Sequence, residues 1–176
     1  QGMELLDLKL GGTATLDIVL EAPKDYFEEE SDFEDDFNET STNGYWWNII
    51  NIKRLEAVHD YMDSLPEVGK VLSVASGIKV AKELKDGEPI SELDLALVKN
   101  LLPKDIKETL LSSYISEDEN QVRISSRVLE TSKTLKRNEL LQEIENTLES
   151  EFGFKKEEYR LTGLAVLYNN MLQSLF

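Results

Sequence analysis

The chain has 176 residues, of which 40% are hydrophobic, and this is enough apolar material for the core of one domain. Its 35 acidic and 19 basic side chains give a formal charge of −16, which would repel the phosphate backbone of a nucleic acid. Because the sequence contains no cysteine, disulfides, thiolate nucleophiles and thiolate metal sites are excluded together. We therefore predict a single domain without a nucleic-acid partner.

The first part of the chain contains one clear strand. Gln1 and Gly2 precede Met3, which is typical of residues left by a cleaved expression tag, so we expect residues 1–7 to be a scar and a linker. After a glycine pair, apolar and polar residues alternate with the period of a half-buried strand. The apolar positions are Ala14, Leu16, Ile18 and Leu20. We therefore predict that one domain, residues 8–176, opens with this strand.

Residues 24–46 are the most acidic part of the chain, and we predict that they form an insertion loop. Oxygen-bearing side chains occur there at alternating positions, as in a calcium-binding loop. They are Asp32, Glu34, Asp36 and Asn38. In that register, however, the sixth position is Phe37 instead of glycine, and the twelfth is Asn43 instead of a bidentate glutamate. The spacing therefore does not fit a calcium-binding loop, and we predict no metal site and no cofactor.

Helical and strand patterns alternate in the rest of the chain. Apolar residues recur every three or four positions over about 47–64, which predicts an amphipathic helix, and a second long helix is predicted to end near Gly153. Apolar, β-branched or alternating runs predict three further strands. These runs lie at 68–74, 122–128 and 159–163.

The segment 76–115 is predicted to be a helical insertion. Ser91 followed by Asp94 resembles a capping box, which marks the start of a helix. Leu93, Leu97 and Leu101 would form the apolar stripe of that helix. Pro103 is suited to the first turn of another helix.

The order of the predicted elements gives the fold class. Strand, helix, strand, helical insertion, strand, helix and strand follow one another along the chain. This order is typical of an α+β domain of the ferredoxin-like split β-α-β type. We therefore predict a four-stranded antiparallel sheet with two long helices and an added helical insertion.

Aromatic residues are concentrated around the acidic insertion and give the candidate contact residues. They are Tyr45, Trp46, Trp47, Phe33 and Phe37. Aromatic side chains beside the start of a helix most often belong to the core. The alternative is an exposed aromatic edge that contacts an apolar ligand or a neighbouring domain. The sequence leaves both interpretations open.

Catalytic chemistry has little support in the sequence. His59 is the only histidine and lies in a predicted helix, where we expect it to be a boundary residue. A nucleophile would need a base beside it, and a metal would need clustered ligands. Gly11 and Gly12 precede a strand instead of linking a strand to a helix, so they do not form a phosphate-binding loop. We therefore predict that the chain is not an enzyme.

Several segments resemble the extracytoplasmic loops of the resistance, nodulation and division superfamily of membrane exporters, in the branch of the mycobacterial-membrane-protein-large and patched-like transporters. The resemblance covers most of residues 8–175. It is carried by LGGT at 10–13, LPEVGKVLS at 65–73, YIS at 114–116, VRISSRV at 122–128, LTGL at 161–164 and the segment 167–175.

This resemblance implies a porter domain on the outer, periplasmic side of the cytoplasmic membrane. Residues 164–176 would be the amphipathic lead-in to a membrane helix of the parent protein. Its apolar side would consist of Leu164, Leu167, Met171, Leu172 and Leu175. The implied function is to form part of the path by which a proton-driven exporter moves lipids or other amphiphiles. The implied partners are the cargo, the other porter domain and the membrane helices. The alternative is a free-standing ferredoxin-like binding or regulatory module, because this fold hosts many functions.

Overall fold

The computed structural model of the protein describes residues 2–24, 26, 44–101 and 112–175. The strands are β1 (Ala14–Glu21), β2 (Val68–Leu72), β3 (Gln121–Val128) and β4 (Tyr159–Thr162). The helices are α1 (Gly2–Leu10), α2 (Ile49–Ser64), α3 (Val74–Leu84), α4 (Glu92–Leu101), α5 (Arg137–Ser150) and α6 (Leu164–Gln173), and one 3-10 turn (Lys156–Glu158) precedes β4. The strands form one sheet in the order β2-β3-β1-β4, with antiparallel neighbours throughout. The predicted α+β, ferredoxin-like split β-α-β fold is confirmed.

The centre of the sheet follows from the alternation in β1 and β3. Ala14 pairs with Val128, and the register continues without a shift to Glu21 and Gln121. Every second residue of both strands is buried, because these positions face the helices. Leu16, Ile18, Leu20 and Ile124 are fully buried. The predicted first strand is therefore confirmed.

The two long helices cover the buried face of the sheet. Helix α2 begins after Asn48, whose side chain accepts a hydrogen bond from the backbone amide of Asn51 at 2.8 Å. Its buried residues include Ile52, Leu55, Val58 and Met62, and those of α5 are Leu140, Leu141, Ile144 and Leu148. All of them belong to one core that also contains the inward residues of β1. Burial of these apolar side chains is the main stabilising contribution to the fold.

The helical insertion is only partly as predicted. The capping box is present, because Ser91 Oγ accepts from the amide of Asp94 at 3.2 Å while Asp94 Oδ2 accepts from the amide of Ser91 at 2.8 Å. The predicted stripe is wrong at Leu93, which is 70% exposed, whereas Leu95 is buried. The helix expected to start at Pro103 lies outside the described residues, as does most of the predicted acidic loop.

The sequence analysis did not predict helix α1. It covers most of the segment expected to be a scar and a linker. Asp7 is buried and ties this helix to the domain. Its carboxylate accepts hydrogen bonds from Thr13 Oγ1 at 2.7 Å and from the backbone amide of Thr131 at 2.6 Å. The origin of the first two residues stays a prediction.

The face of the sheet away from the core carries basic side chains. Arg123 and Arg127 on β3 and Arg160 on β4 are exposed. Arg160 forms an ion pair with Glu21 at 2.9 Å. Apart from Val19, which pairs with Arg123 and Arg160, the side chains of β1 on this face are polar.

Candidate functional site

The main candidate site is a pair of helices at one end of the sheet. Helix α1 leads through a glycine turn into the first residue of β1, and the amide of Gly12 donates to the carbonyl of Asp7 at 2.8 Å. Helix α6 follows β4, whose last residue, Thr162, pairs with Asp17 near the start of β1. Since β1 and β4 are antiparallel, α1 and α6 both leave the sheet at the end where β1 begins.

Helix α6 presents an apolar stripe that the described part of the domain leaves uncovered. Its exposed residues are Leu164, Leu167, Tyr168, Met171 and Leu172, with Leu175 just beyond the helix. They recur at the helical spacing of three and four residues, so they lie on one side. The sequence analysis predicted this apolar side, apart from Tyr168.

The opposite side of α6 fixes the helix to the domain. Ala165 and Asn169 are buried, and Ala165 belongs to the core. Gly163, before the helix, has a φ of +109°, and a Cβ placed there would lie 2.5 Å from the carbonyl oxygen of Thr15. The backbones of β1 and of the residue preceding α6 are therefore in close contact, which only glycine permits.

Helix α1 carries two further exposed leucines at the same end of the sheet. Leu5 is 54% exposed and Leu10 is 48% exposed. Eight of the eleven large apolar side chains that are strongly exposed in the described part of the chain belong to α1, α6 and the residue Leu175. Isolated exposed leucines are ordinary on a protein surface, whereas a concentration at one end of a fold indicates an interaction site.

The aromatic residues of the predicted contact site pack inward. Trp46 is 1% exposed and Trp47 is 3% exposed, so neither indole provides an exposed edge. Trp46 Nε1 donates to the carbonyl of Asn120 at 3.1 Å, which anchors this segment beside β3. Tyr45 is half-buried, and its ring meets that of Trp46 edge to face at 5.0 Å. The described members of the cluster therefore pack into the domain, whereas Phe33 and Phe37 lie outside the described residues. A contact between this cluster and a ligand or partner stays a prediction.

His59 is more deeply placed than a boundary residue. Its side chain is buried, and Nδ1 lies 2.9 Å from Ser73 Oγ, the hydroxyl that caps α3. Burial lowers the pKa of His59, and the nearby Lys79 lowers it further. The contact between His59 and Ser73 thus joins α2 to the start of α3. Within the described ranges, no group of three or more carboxylate or imidazole side chains is arranged as a metal site.

No protein-family model and no curated protein matches the chain. A functional interpretation of the chain therefore rests on its fold and on the surfaces described above. Among the described residues, no helix is both long enough and apolar enough to span a membrane.

Proposed function

We propose that this chain is an extracytoplasmic porter-type domain of a proton-driven membrane exporter of lipids or other amphiphilic molecules. In this proposal the domain lies against the outer side of the membrane and forms part of the substrate path. The proposal extends the resemblance described above, and its main structural support is the exposed apolar stripe of α6, which lies at the same end of the sheet as the exposed leucines of α1.

The chemistry of this surface favours a position next to lipid or to membrane helices. An exposed leucine that becomes buried in an apolar medium contributes roughly 1.5–3 kcal/mol. The α6 stripe contains Leu167, Met171 and Leu172, and each is about half exposed in the domain alone. Burial of several such side chains would hold this end of the domain at an apolar boundary.

Both helices are also firmly joined to the sheet, which favours a mechanical role. Asp7 fixes α1 through Thr13 and Thr131, and Gly163 brings the start of α6 against β1. A displacement of either helix would therefore be transmitted to the four-stranded sheet. Alternating access in secondary transporters uses rigid-body rocking of this kind.

The resemblance also implies which part of the proposed exporter couples proton movement to transport. Its proton-relay carboxylates would lie in membrane helices, so the acidic residues of this domain would have no part in energy coupling. The domain would act sterically, by opening and closing a cavity for the cargo as it rocks. No catalytic residue is required for that work.

Flotation with lipid vesicles tests the placement of the domain. Neutral phosphatidylcholine vesicles are suitable, because the charge of −16 would be repelled by anionic lipid. The unaltered chain should float with the vesicles, and a Leu167→Ser, Met171→Ser variant should lose at least about tenfold in partitioning.

The matched control carries Ile50→Ser and Val80→Ser, two exposed apolar residues on α2 and α3 that lie outside the α1 and α6 surface. This control should float like the unaltered chain. Absence of flotation of the folded, unaltered chain, or equal losses in both variants, would contradict the proposal.

A further inference from the structure

The only histidine of the chain lies between α2 and the start of α3. His59 is 4% exposed, and its Nδ1 is 2.9 Å from Oγ of Ser73, which is 3% exposed. Ser73 follows β2 and caps α3. Because both side chains are buried, each depends on the other for this hydrogen bond instead of on water. One buried polar contact therefore connects the two helices at this point.

The hydrogen bonds around Ser73 determine which ring nitrogen of His59 holds the proton. Ser73 Oγ accepts from the backbone amide of Ala75 at 3.0 Å, and the capping box places the amide of Ser76 on the same oxygen. A hydroxyl has two acceptor lone pairs and one donor hydrogen, so with both lone pairs occupied it can only donate. Nδ1 of His59 must therefore accept. This arrangement requires the neutral imidazole with its proton on Nε2.

A second proton on His59 would conflict with this arrangement. The imidazolium is a donor at both nitrogens, so its Nδ1–H would face a hydroxyl whose lone pairs the amides of α3 already occupy. Either the imidazolium lacks an acceptor or Ser73 gives up one of these amides. Each alternative leaves a buried donor without a partner, which is unfavourable. Protonation of His59 therefore competes with the capping of α3.

The charges that face His59 do not remove the conflict. Burial of the ring, and after it the charge of Lys79 on α3, hold the pKa of His59 below its ordinary value of 6.5. Three carboxylates of α2 act in the opposite direction without reversing the shift. They are Glu56, Asp60 and Asp63. The other element packed against this part of α2 is β2, whose one titratable residue, Lys70, is exposed.

From this geometry we infer that the contact between His59 and Ser73 is an acid-sensitive joint, in which uptake of one proton by His59 releases the first turn of α3 from α2. His59 binds a proton more tightly in the open form than in the closed form, so a lower pH favours opening. The joint is closed above about pH 6.5 and opens more often below it. The inference concerns α2 and α3, so it stands independently of the proposed membrane placement.

Native-state hydrogen exchange at pH 7.5 and 5.5 tests this inference, with rates corrected for the pH dependence of unprotected amides. The opening constants of the Ala75, Ser76 and Ile78 amides should rise by at least about threefold at the lower pH. Uptake of one proton by a histidine of ordinary pKa limits the rise to about tenfold. The first turn of α5 has no side-chain cap and no histidine, so its amides are the internal control and should open equally at both pH values.

The ring nitrogens of His59 provide a second readout. Since the chain has one histidine, the two imidazole nitrogen signals belong to it without ambiguity. At pH 7.5 their chemical shifts should show a protonated Nε2 and an unprotonated Nδ1. Ring protonation at lower pH should accompany the increased opening of α3.

Three variants separate the joint from a general effect of acid. His59→Asn keeps an oxygen acceptor near the position of Nδ1 but does not titrate, so α3 should open equally at both pH values. Lys79→Gln removes a positive charge that opposes protonation, so the ring should titrate at a higher pH than in the unaltered chain. Lys133→Gln, whose charge does not face His59, should leave the titration of the ring unchanged.

Three results would overturn the inference. One is a proton on Nδ1 at pH 7.5, and another is an opening of α3 that does not depend on pH in the unaltered chain. The third is an equal rise in the first turns of α3 and α5, which would mean that the proton is coupled to unfolding of the whole domain. None of these results bears on vesicle flotation, so failure of the joint and failure of the proposed function are distinguishable.

Discussion

The backbone amide of Leu164 donates a hydrogen bond to Thr15 Oγ1 at 3.1 Å, which joins the first turn of α6 to β1. The residue that precedes α6 is Gly163, which has no side chain to cap the helix. Thr15 therefore supplies from the neighbouring strand an acceptor that a cap residue usually supplies locally. The orientation of α6 thus depends on a contact between residues 149 positions apart.

Removal of that acceptor should loosen α6 without unfolding the domain. Thr15→Val preserves the shape of the side chain but leaves the amide of Leu164 without its partner. We expect a loss of about 0.5–1.5 kcal/mol, concentrated in faster hydrogen exchange over residues 164–173. Thr162→Val, on the same end of the sheet, is the control. Equal exchange in α6 of the two variants would show that the contact contributes nothing to the position of the helix.

The glycine before α6 should tolerate no side chain, in contrast to a glycine within α3. Gly163→Ala places a Cβ against the carbonyl of Thr15 at a φ of +109°, so we expect a loss of at least about 2 kcal/mol in the free energy of unfolding. Gly77 in α3 has open space around the Cβ position, so Gly77→Ala should stabilise the protein by about 0.5–1 kcal/mol. Urea unfolding measures both. A neutral Gly163→Ala would mean that β1 and the start of α6 are further apart than described.

Asp7 should be the residue on which the attachment of α1 depends most. Asp7→Asn replaces one of two accepting oxygens by a donor, although Thr13 and Thr131 both donate to this carboxylate. We expect a loss of about 1–3 kcal/mol at pH 7. The exposed Asp63→Asn in α2 is the control and should change stability by less than about 0.5 kcal/mol. Equal stabilities of the two variants would argue against a structural role for α1.

The same carboxylate predicts a dependence on pH. Burial raises the pKa of Asp7, but the hydrogen bonds from Thr13 and Thr131 outweigh this effect and hold the pKa below its ordinary value of 3.8. The contribution of Asp7 is therefore fully present above about pH 4 and is lost as the pH falls through the lower value in the folded state. The difference between Asp7→Asn and the unaltered protein should be constant from pH 5 to 8 and smaller in more acidic solution.

His59 should make the protein less stable in mild acid. Burial and Lys79 lower the pKa of His59 below 6.5, while Asp60, Asp63 and Glu56 act in the opposite direction. The unfolded chain therefore binds more protons than the folded chain between the lowered pKa and 6.5, so stability is complete above that range and declines as the pH falls through it. Urea unfolding at intervals from pH 5 to 8 should show this decline in the unaltered protein and a flatter profile in His59→Gln. Identical profiles would contradict a buried, neutral His59.

Local sequence patterns were sufficient to predict the strands of the sheet, because one face of β1 and of β3 packs against helices. The apolar residues Leu16, Ile18 and Leu20 at every second position record that environment directly, although Val19 interrupts the alternation with polar residues. The apolar side of α6 was predictable for the same reason, since helical spacing defines one side of the helix. Neither pattern required knowledge of a distant residue.

Sequence patterns were insufficient where residues distant in the chain determine the structure. In α4, apolar residues at 93 and at 95–98 leave no single helical face preferred, so sequence spacing could not choose Leu95 over Leu93. The role of Asp7 depends on Thr131, 124 positions away. Trp46 is held by Asn120, and its burial could not be distinguished from exposure by composition.

The most direct test of the membrane-facing surface uses a fluorescent probe at single positions on α6. The chain has no native cysteine, so Leu167→Cys, Met171→Cys and Asn170→Cys can each be labelled alone with a nitrobenzoxadiazole dye. Asn170 is exposed on the same helix but lies off the apolar stripe, which makes it the matched control. With phosphatidylcholine vesicles, probes at 167 and 171 should shift to the blue and be quenched by spin-labelled lipid, whereas the probe at 170 should change little. Equal responses at all three positions, or none at any, would contradict the account of α6 as the face that meets the membrane.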